Sequence, residues 1–458
     1  MNALISTALS GVVLMFVGLF VRNKQHIKFY AIAAIIIAFI ANLAQYPSVE
    51  LGGYEMYGMI EVTKFGVLFN AVALGATLLY FLLSGSEFEK VGEQHVADYF
   101  ALIFFILSGI TLAATFSNLL MLFLAIEIMS IPQYILAGAD KKSLKSNEAS
   151  LKYFLMGAFS TGILLMGITL IYGAAGSFEI SALGLGVTTI HPLALCGIIL
   201  IVFALSFKVS AAPFHFWTPD VYDGSPTVFT AFMSTVVKAG AFVAFLRMFH
   251  TSFAGGSISQ HWSLILAIIT AATLIVGNFS AVFQQSVKRM MAYSSIAQAG
   301  FMLFAVIAMN NMGTQGIILY SAAYSIATIG VFAVLMKLKD YTFEGFNGLA
   351  RKQPLLAAAT AIFLFSLAGI PITAGFFAKY FVLSAAIQQG HLLWLVIVAV
   401  LCAAISVYYY FRVIIAMYFK SGDPEVVPVS GGFKATLVLA IALVLLLGLF
   451  PNLLLCWL

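Results

Sequence analysis

Residues 200–240 read LIVFALSFKVSAAPFHFWTPDVYDGSPTVFTAFMSTVVKAG. An apolar run carries Lys208, meets Pro213 five residues later, and gives way through TPDVYDGSPT to a second apolar run carrying Lys238. A proline inside a helix removes an amide and frees the carbonyl four residues back, here near Val209. A charge at mid-membrane costs about 2.5–3.5 kcal/mol even on the gentler insertion scale. Two lysines and a helix break in such a stretch therefore point to a membrane protein whose buried charges have a task.

The composition agrees. Of 458 residues, 62% are apolar and 9% charged, against about 25% charged in soluble domains. Soluble enzymes, secreted modules and nucleic-acid binders are excluded together, and the scattered net charge of +5 leaves no nucleic-acid footprint. Cys196, Cys402 and Cys456 lie far apart with no CxxC spacing, so zinc, iron–sulfur and disulfide frameworks have no support. The start, MNALISTALSGVV, lacks the basic n-region of a signal peptide and reads as a retained span.

A spanning helix needs about 20 mostly apolar residues. Candidates fall near 3–21, 29–45, 66–84, 98–115, 117–138, 149–174, 193–217, 227–249, 262–283, 291–309, 315–336, 354–388, 393–419 and 435–456. The reading is an all-α polytopic membrane protein of about fourteen spans in one membrane domain, 1–458. With Met1 outside, 16 of the 22 Lys/Arg residues, among them Arg22, Lys152, Lys288, Arg289 and Lys337, share the cytoplasmic connections. Only Lys64 and Arg247 fall in the outer ones. Orientation follows Lys/Arg in short loops, so both termini are expected outside.

Lys208, Lys238, Lys379 and Arg412 remain at membrane depth, with Glu127 the acidic residue there. Arg412 sits near a span end and can snorkel. A structural Glu–Lys pair would account for two of the others and leave two lysines uncompensated. Burial disfavours an ammonium and a nearby carboxylate favours it, so moving the carboxylate switches a lysine between holding and releasing a proton. A swing of three pH units is about 4 kcal/mol. Driving a proton across about 180 mV costs roughly the same, from about 2.3 kcal/mol per 100 mV. The match favours proton translocation.

The segment 354–388 would be about 52 Å long as one helix, more than a core of about 30 Å. Pro371 and Gly369 mark its break, with Lys379 beyond. Breaks in spans seven and twelve suggest two inverted five-helix repeats, 98–249 (spans four to eight) and 262–419 (spans nine to thirteen). Pro132 is placed to kink span five near Glu127. Depth orders the charges as Glu127, Lys208, Lys238, Lys379, opening outward last.

The stretches APFHFWTPDVYDGSPTVFTAFMSTVVKAG, EIMSIPQYILAG, SNEASLKYFLMGAFSTGILLMGITLIYGAAGS and MAYSSIAQAGFML resemble the subunit N family of bacterial NADH:quinone oxidoreductase, respiratory complex I, over roughly residues 60–420. The resemblance implies a Glu127–Lys208 pair, a central relay at Lys238, an exit-side Lys379 and breaks at Pro213 and Pro371. It also implies proton pumping driven by quinone reduction elsewhere, and an enzyme role only as a subunit of a proton-translocating oxidoreductase. No cofactor is expected on this chain, because NADH, FMN, iron–sulfur clusters and quinone belong to other subunits. The implied partners are neighbouring antiporter-like and small membrane subunits and lipid, in a bacterial inner (plasma) membrane. Gln298 stands where many such relatives carry histidine. His215 is a candidate relay to Lys208, although a hydrogen-bonded interfacial histidine is the plainer reading. Asp220 and Asp223 read as cap and turn residues, Trp217 as an interfacial anchor and Lys152 as a snorkelling lysine. A cation/proton antiporter is the runner-up and predicts sodium-dependent activity without NADH. A membrane scaffold, the third reading, predicts pumping that survives loss of Lys208 or Lys379.

Overall fold

A computed structural model of the chain describes residues 1–458 apart from 22, 51–53, 182, 184–191 and 253–255. Arg22, counted above in the first connection, lies outside the described residues. Among those described, eleven helical stretches are long and apolar enough to cross a membrane. One of them, 64–115, holds two helices, Lys64–Ser84 and Val96–Thr115, joined by short helical turns over residues 85–95. Three shorter apolar helices, Pro192–Lys208, Pro354–Ala368 and Ala374–Ile387, lie where broken spans were expected. The protein is a polytopic helical bundle, as its composition demands. Among the described residues the chain also forms a small hairpin, Tyr54–Met56 against Ile60–Val62, which the sequence reading did not anticipate.

Burial separates the helices by position. The stretches Thr227–Ser252 and Asn311–Leu335 are enclosed over most of their length and exposed only toward one end, at His250, Thr251 and Asn311, whereas Asn2–Phe20 and Gly431–Leu449 expose most of their length. A helix that is apolar all round belongs in an interior or in lipid, and these are the two cases. Rings such as Phe159 and Phe283 stand exposed on the outside of the bundle. Helix Leu144–Ala175 packs along Pro192–Lys208, Gly256–Val282 along Val287–Ala308, and Asn311–Leu335 against Ala374–Ile387. Small residues permit the closest crossing: a Cβ on Gly197 would stand 2.8 Å from the Gly167 carbonyl oxygen.

Three irregularities interrupt the bundle. The first helix ends at Lys208, earlier than the expected 217, and the chain turns through Ser210 (φ +66°) before helix Trp217–Gly224. Pro213 therefore stands in the break itself and not inside a helix. The local backbone finds other partners: Ala211 N–H donates to Ser206 O at 2.8 Å, and Ala212 N–H donates to Thr273 Oγ1 at 2.8 Å. The second break separates Pro354–Ala368 from Ala374–Ile387 at Gly369 (φ +88°), with Pro371 again between helices. The third was not foreseen. Residues Met233–Val237 form a π-helical turn immediately before Lys238, a distortion that concentrates at functional sites.

Candidate functional site

Lys208 closes its helix and reaches across to helix Leu119–Ala137. Its Nζ donates to Ser130 Oγ at 2.7 Å and to Tyr134 Oη at 3.5 Å, and lies 6.0 Å from the Tyr134 ring centre. Glu127 is one turn before Ser130, on the same face. Among the described residues no ion pair within 4.0 Å joins Glu127 to Lys208. The two hydroxyls hold the ammonium instead, and Glu127 acts on it through space. Pro132 lies within this helix, and Gln133 next to it donates to Met129 O at 2.6 Å while accepting from Tyr153 Oη at 2.6 Å.

Lys238 is 2% exposed. Its Nζ donates to Ser295 O at 2.9 Å and to Ser295 Oγ at 2.5 Å, 5.8 Å from the Tyr222 ring centre. A cavity of about 20 Å³ touches both Lys208 and Lys238 and is also lined by Ser130, Gln133 and Tyr222. That is room for about one water molecule.

Lys379 is held differently. Its Nζ donates to Leu367 O at 2.8 Å and Ala368 O at 2.9 Å, 4.7 Å from the Phe301 ring centre. These carbonyls end helix Pro354–Ala368, where intrahelical donors run out and the helix dipole is negative. Gly369 makes the approach possible, since a Cβ there would sit 3.0 Å from Lys379 Cδ. A second cavity, about 10 Å³, is lined by Lys379, Gln298, Tyr320 and Tyr324. Ser295 and Gln298 are one turn apart on helix Val287–Ala308 and so face the two lysines from a common element.

Other expectations change in detail. His215 is half-buried against Phe216, its Nδ1 has no partner among the described residues, and no hydrogen bond joins it to Lys208. Trp217 is 3% exposed, stacks on Tyr153 at 4.6 Å and donates from Nε1 to Phe207 O at 3.2 Å. It is a core residue and not an interfacial anchor, packed among the rings of Tyr153, Phe207 and Tyr222. Asp220 does more than begin a helix: it pairs with Lys152 at 3.1 Å and Arg289 at 2.9 Å. Lys152, paired also with Glu148 at 2.6 Å, is thus engaged in ion pairs. Asp223 is 3.9 Å from Arg289. Arg412 donates to Val282 O at 2.7 Å with its guanidinium over the Phe343 ring.

Several buried charges escaped the sequence reading. Glu87 and Lys337 form a buried ion pair, with Lys90 also 2.6 Å from Glu87. Lys288 is 5% exposed and donates to Asp223 O and Ser225 O. Arg247 is buried between Glu61 (2.7 Å) and Phe116 O (2.6 Å). Glu87, Lys337 and Lys288 sit at or next to helix ends, where sequence does not distinguish a solvated connection from a covered one, and Arg247 lies in the last third of helix Lys238–Ser252. Ser130, Tyr134 and Ser295 were missed as lysine partners, although Ser130 stands three residues from Glu127.

Residues 117–406 match a family described as NADH:quinone oxidoreductase/Mrp antiporter, transmembrane. The chain is similar to NADH-quinone oxidoreductase subunit N of Cytophaga hutchinsonii, at 43% identity over 406 residues and 87% of each chain. It is also similar to that subunit of Flavobacterium psychrophilum, at 38% identity over 99% of each chain. Its fold is similar to a chain of respiratory complex I from Thermus thermophilus with bound aureothin (TM-score 0.85, 32% identity, 98% of each chain). By sequence and fold alike, the chain belongs to the NADH-quinone oxidoreductase subunit N family.

Proposed function

We propose that this chain is a proton-translocating membrane subunit of an NADH:quinone oxidoreductase, moving protons while other subunits carry electrons from NADH to quinone. One observation carries the reading: half-buried Lys208 and enclosed Lys238 and Lys379, each beside a helix break or π turn, are held by hydroxyls and backbone carbonyls, with no ion pair to any of them among the described residues. An ammonium bound in that way sits in a pocket that its neutral amine also fits. A structural lysine has no need of three backbone irregularities.

The path runs from Glu127 and Lys208 to Lys238 and then to Lys379, with His215 as a side access to Lys208. Residues 98–249 and 262–419 are its two five-helix halves, within fourteen spans whose termini both face the periplasm of a bacterial plasma membrane. The chain itself binds no cofactor; NADH, FMN, iron–sulfur clusters and quinone stay on partner subunits. Neighbouring antiporter-like and small membrane subunits cover its flanks, together with lipid.

A native gel of gently solubilised membranes, probed for this chain and stained for NADH dehydrogenase activity, tests the assignment. Co-migration in one large band is the expected result. A band without that activity, with sodium-dependent flux, would favour the antiporter reading that the family description also covers. Normal pumping by assembled complexes lacking Lys208 or Lys379 would favour a scaffold.

A further inference from the structure

One enclosed side chain between Lys238 and Lys379 has no part in the path as described. Gln298 is 2% exposed and lies one turn beyond Ser295, the residue that holds Lys238. Its Nε2 donates to Leu367 O at 2.9 Å and to Tyr410 Oη at 3.1 Å, and its Oε1 accepts from the Tyr320 hydroxyl. Both amide N–H groups are thereby used, and an amide has only two. The Leu367 carbonyl is the same atom that takes Lys379 Nζ at 2.8 Å. Gln298 and Lys379 therefore share one acceptor at the end of a broken helix.

That sharing has two physical consequences. A carbonyl with two donors fixes the direction of both, so the amide sets where the ammonium rests. An amide also neither takes up nor gives away a proton near neutral pH, so the chain Tyr320, Gln298, Leu367 ends on an acceptor that cannot pass one on. We propose that Gln298 is the positioning residue for Lys379, fixing its ammonium through the shared Leu367 carbonyl and keeping it from proton exchange with Lys238 until that contact opens. The inference rests on the relay reading above and adds a closed gate to its second half.

The test uses the assembled complex in native membrane vesicles, with assembly checked on a native gel. Proton pumping and NADH oxidation are measured from about pH 5.5 to 8.5. Gln298→Leu removes both donors and the acceptor for Tyr320, and pumping per electron falls about tenfold, which is about 1.4 kcal/mol. Gln298→His restores one donor toward Leu367 and one acceptor for Tyr320 and recovers most of the pumping above pH 7. Imidazole titrates between about pH 5 and 8, so this variant loses pumping on acidification where the parent does not. Lys379→Met is measured alongside. If Lys379→Met pumps normally, the relay reading fails. If Lys379→Met is silent while both Gln298 variants keep the parent's rate and pH profile, the gate alone is overturned. Should Gln298→Leu not assemble, the pH profile of Gln298→His decides.

Discussion

The two broken helices hold their lysines by different means. At the first, Lys208 is the last helical residue before the break and turns away to hydroxyls on a neighbouring helix, with Glu127 close by but unbonded to it. At the second, Lys379 follows the break and reaches back to the carbonyls that the break exposes. The first lysine is half-buried and lies under the influence of a carboxylate; the second is enclosed and depends on the end of a helix. A break can thus supply either a hinge beside an ionisable pair or a cradle of bare carbonyls. In the first case the carboxylate can set the proton's hold, and in the second the backbone must.

The largest effect is expected at the carbonyl cradle. Lys379→Met removes the titrating group and leaves Ala368 O without its side-chain donor, while Leu367 O keeps Gln298, so pumping in assembled vesicles falls at least about tenfold, from about 1–3 kcal/mol for the unsatisfied group. Near-parent quenching of a pH-gradient dye would remove the second break from the path. At the first break Glu127→Gln takes away a charge that acts without contact. A one-unit change in proton affinity is about 1.4 kcal/mol, so the loss of pumping is expected to be about tenfold at most. A greater loss than that of Lys379→Met would reverse the comparison.

Smaller effects sharpen it. Gly369→Ala forces a Cβ into a left-handed residue beside Lys379, which costs about 1–2 kcal/mol and should weaken both thermal stability and pumping. Stability lost with pumping intact would show that the cradle tolerates displacement. Asp220→Asn breaks the ion pairs to Lys152 and Arg289 on a partly exposed surface, worth about 0.2–1 kcal/mol. Burial pushes the Asp220 carboxyl up, but the hydrogen bonds and charges of Lys152 and Arg289 outweigh it and leave it below the usual carboxylate range. Its contribution is therefore present above about pH 4 and lost as pH falls through the lower folded value. Acid inactivation of the parent complex should lose a small component in this variant. An unchanged profile would mean that Asp220 matters only as part of the helix it begins.

Much of this was visible in the chain. Lys208, Lys238, Lys379 and Glu127 stand out because charges in apolar runs are rare, and the break at 369–373 follows from segment length together with Gly369 and Pro371. The partners were less legible. Whether Lys208 meets Glu127 or Ser130 depends on how the helices are rotated, and spacing alone does not fix that. The π turn before Lys238 has no composition signal in MSTVV. Glu87 and Lys337 read as connection residues, yet packing of distant helices buries them as a pair. Pro213 marks the right region, but the helix has already ended at Lys208, so its proline argument explains the break less directly than expected.

Lys238 lies between the two breaks, and Lys238→Arg is the most direct test of a single path through both. Arginine keeps the charge and the donors toward Ser295 but holds its proton with a pKa above about 12, so assembly survives while release does not. The account predicts an assembled complex with a lowered ratio of protons pumped to electrons transferred. An unchanged ratio in that complex would contradict it.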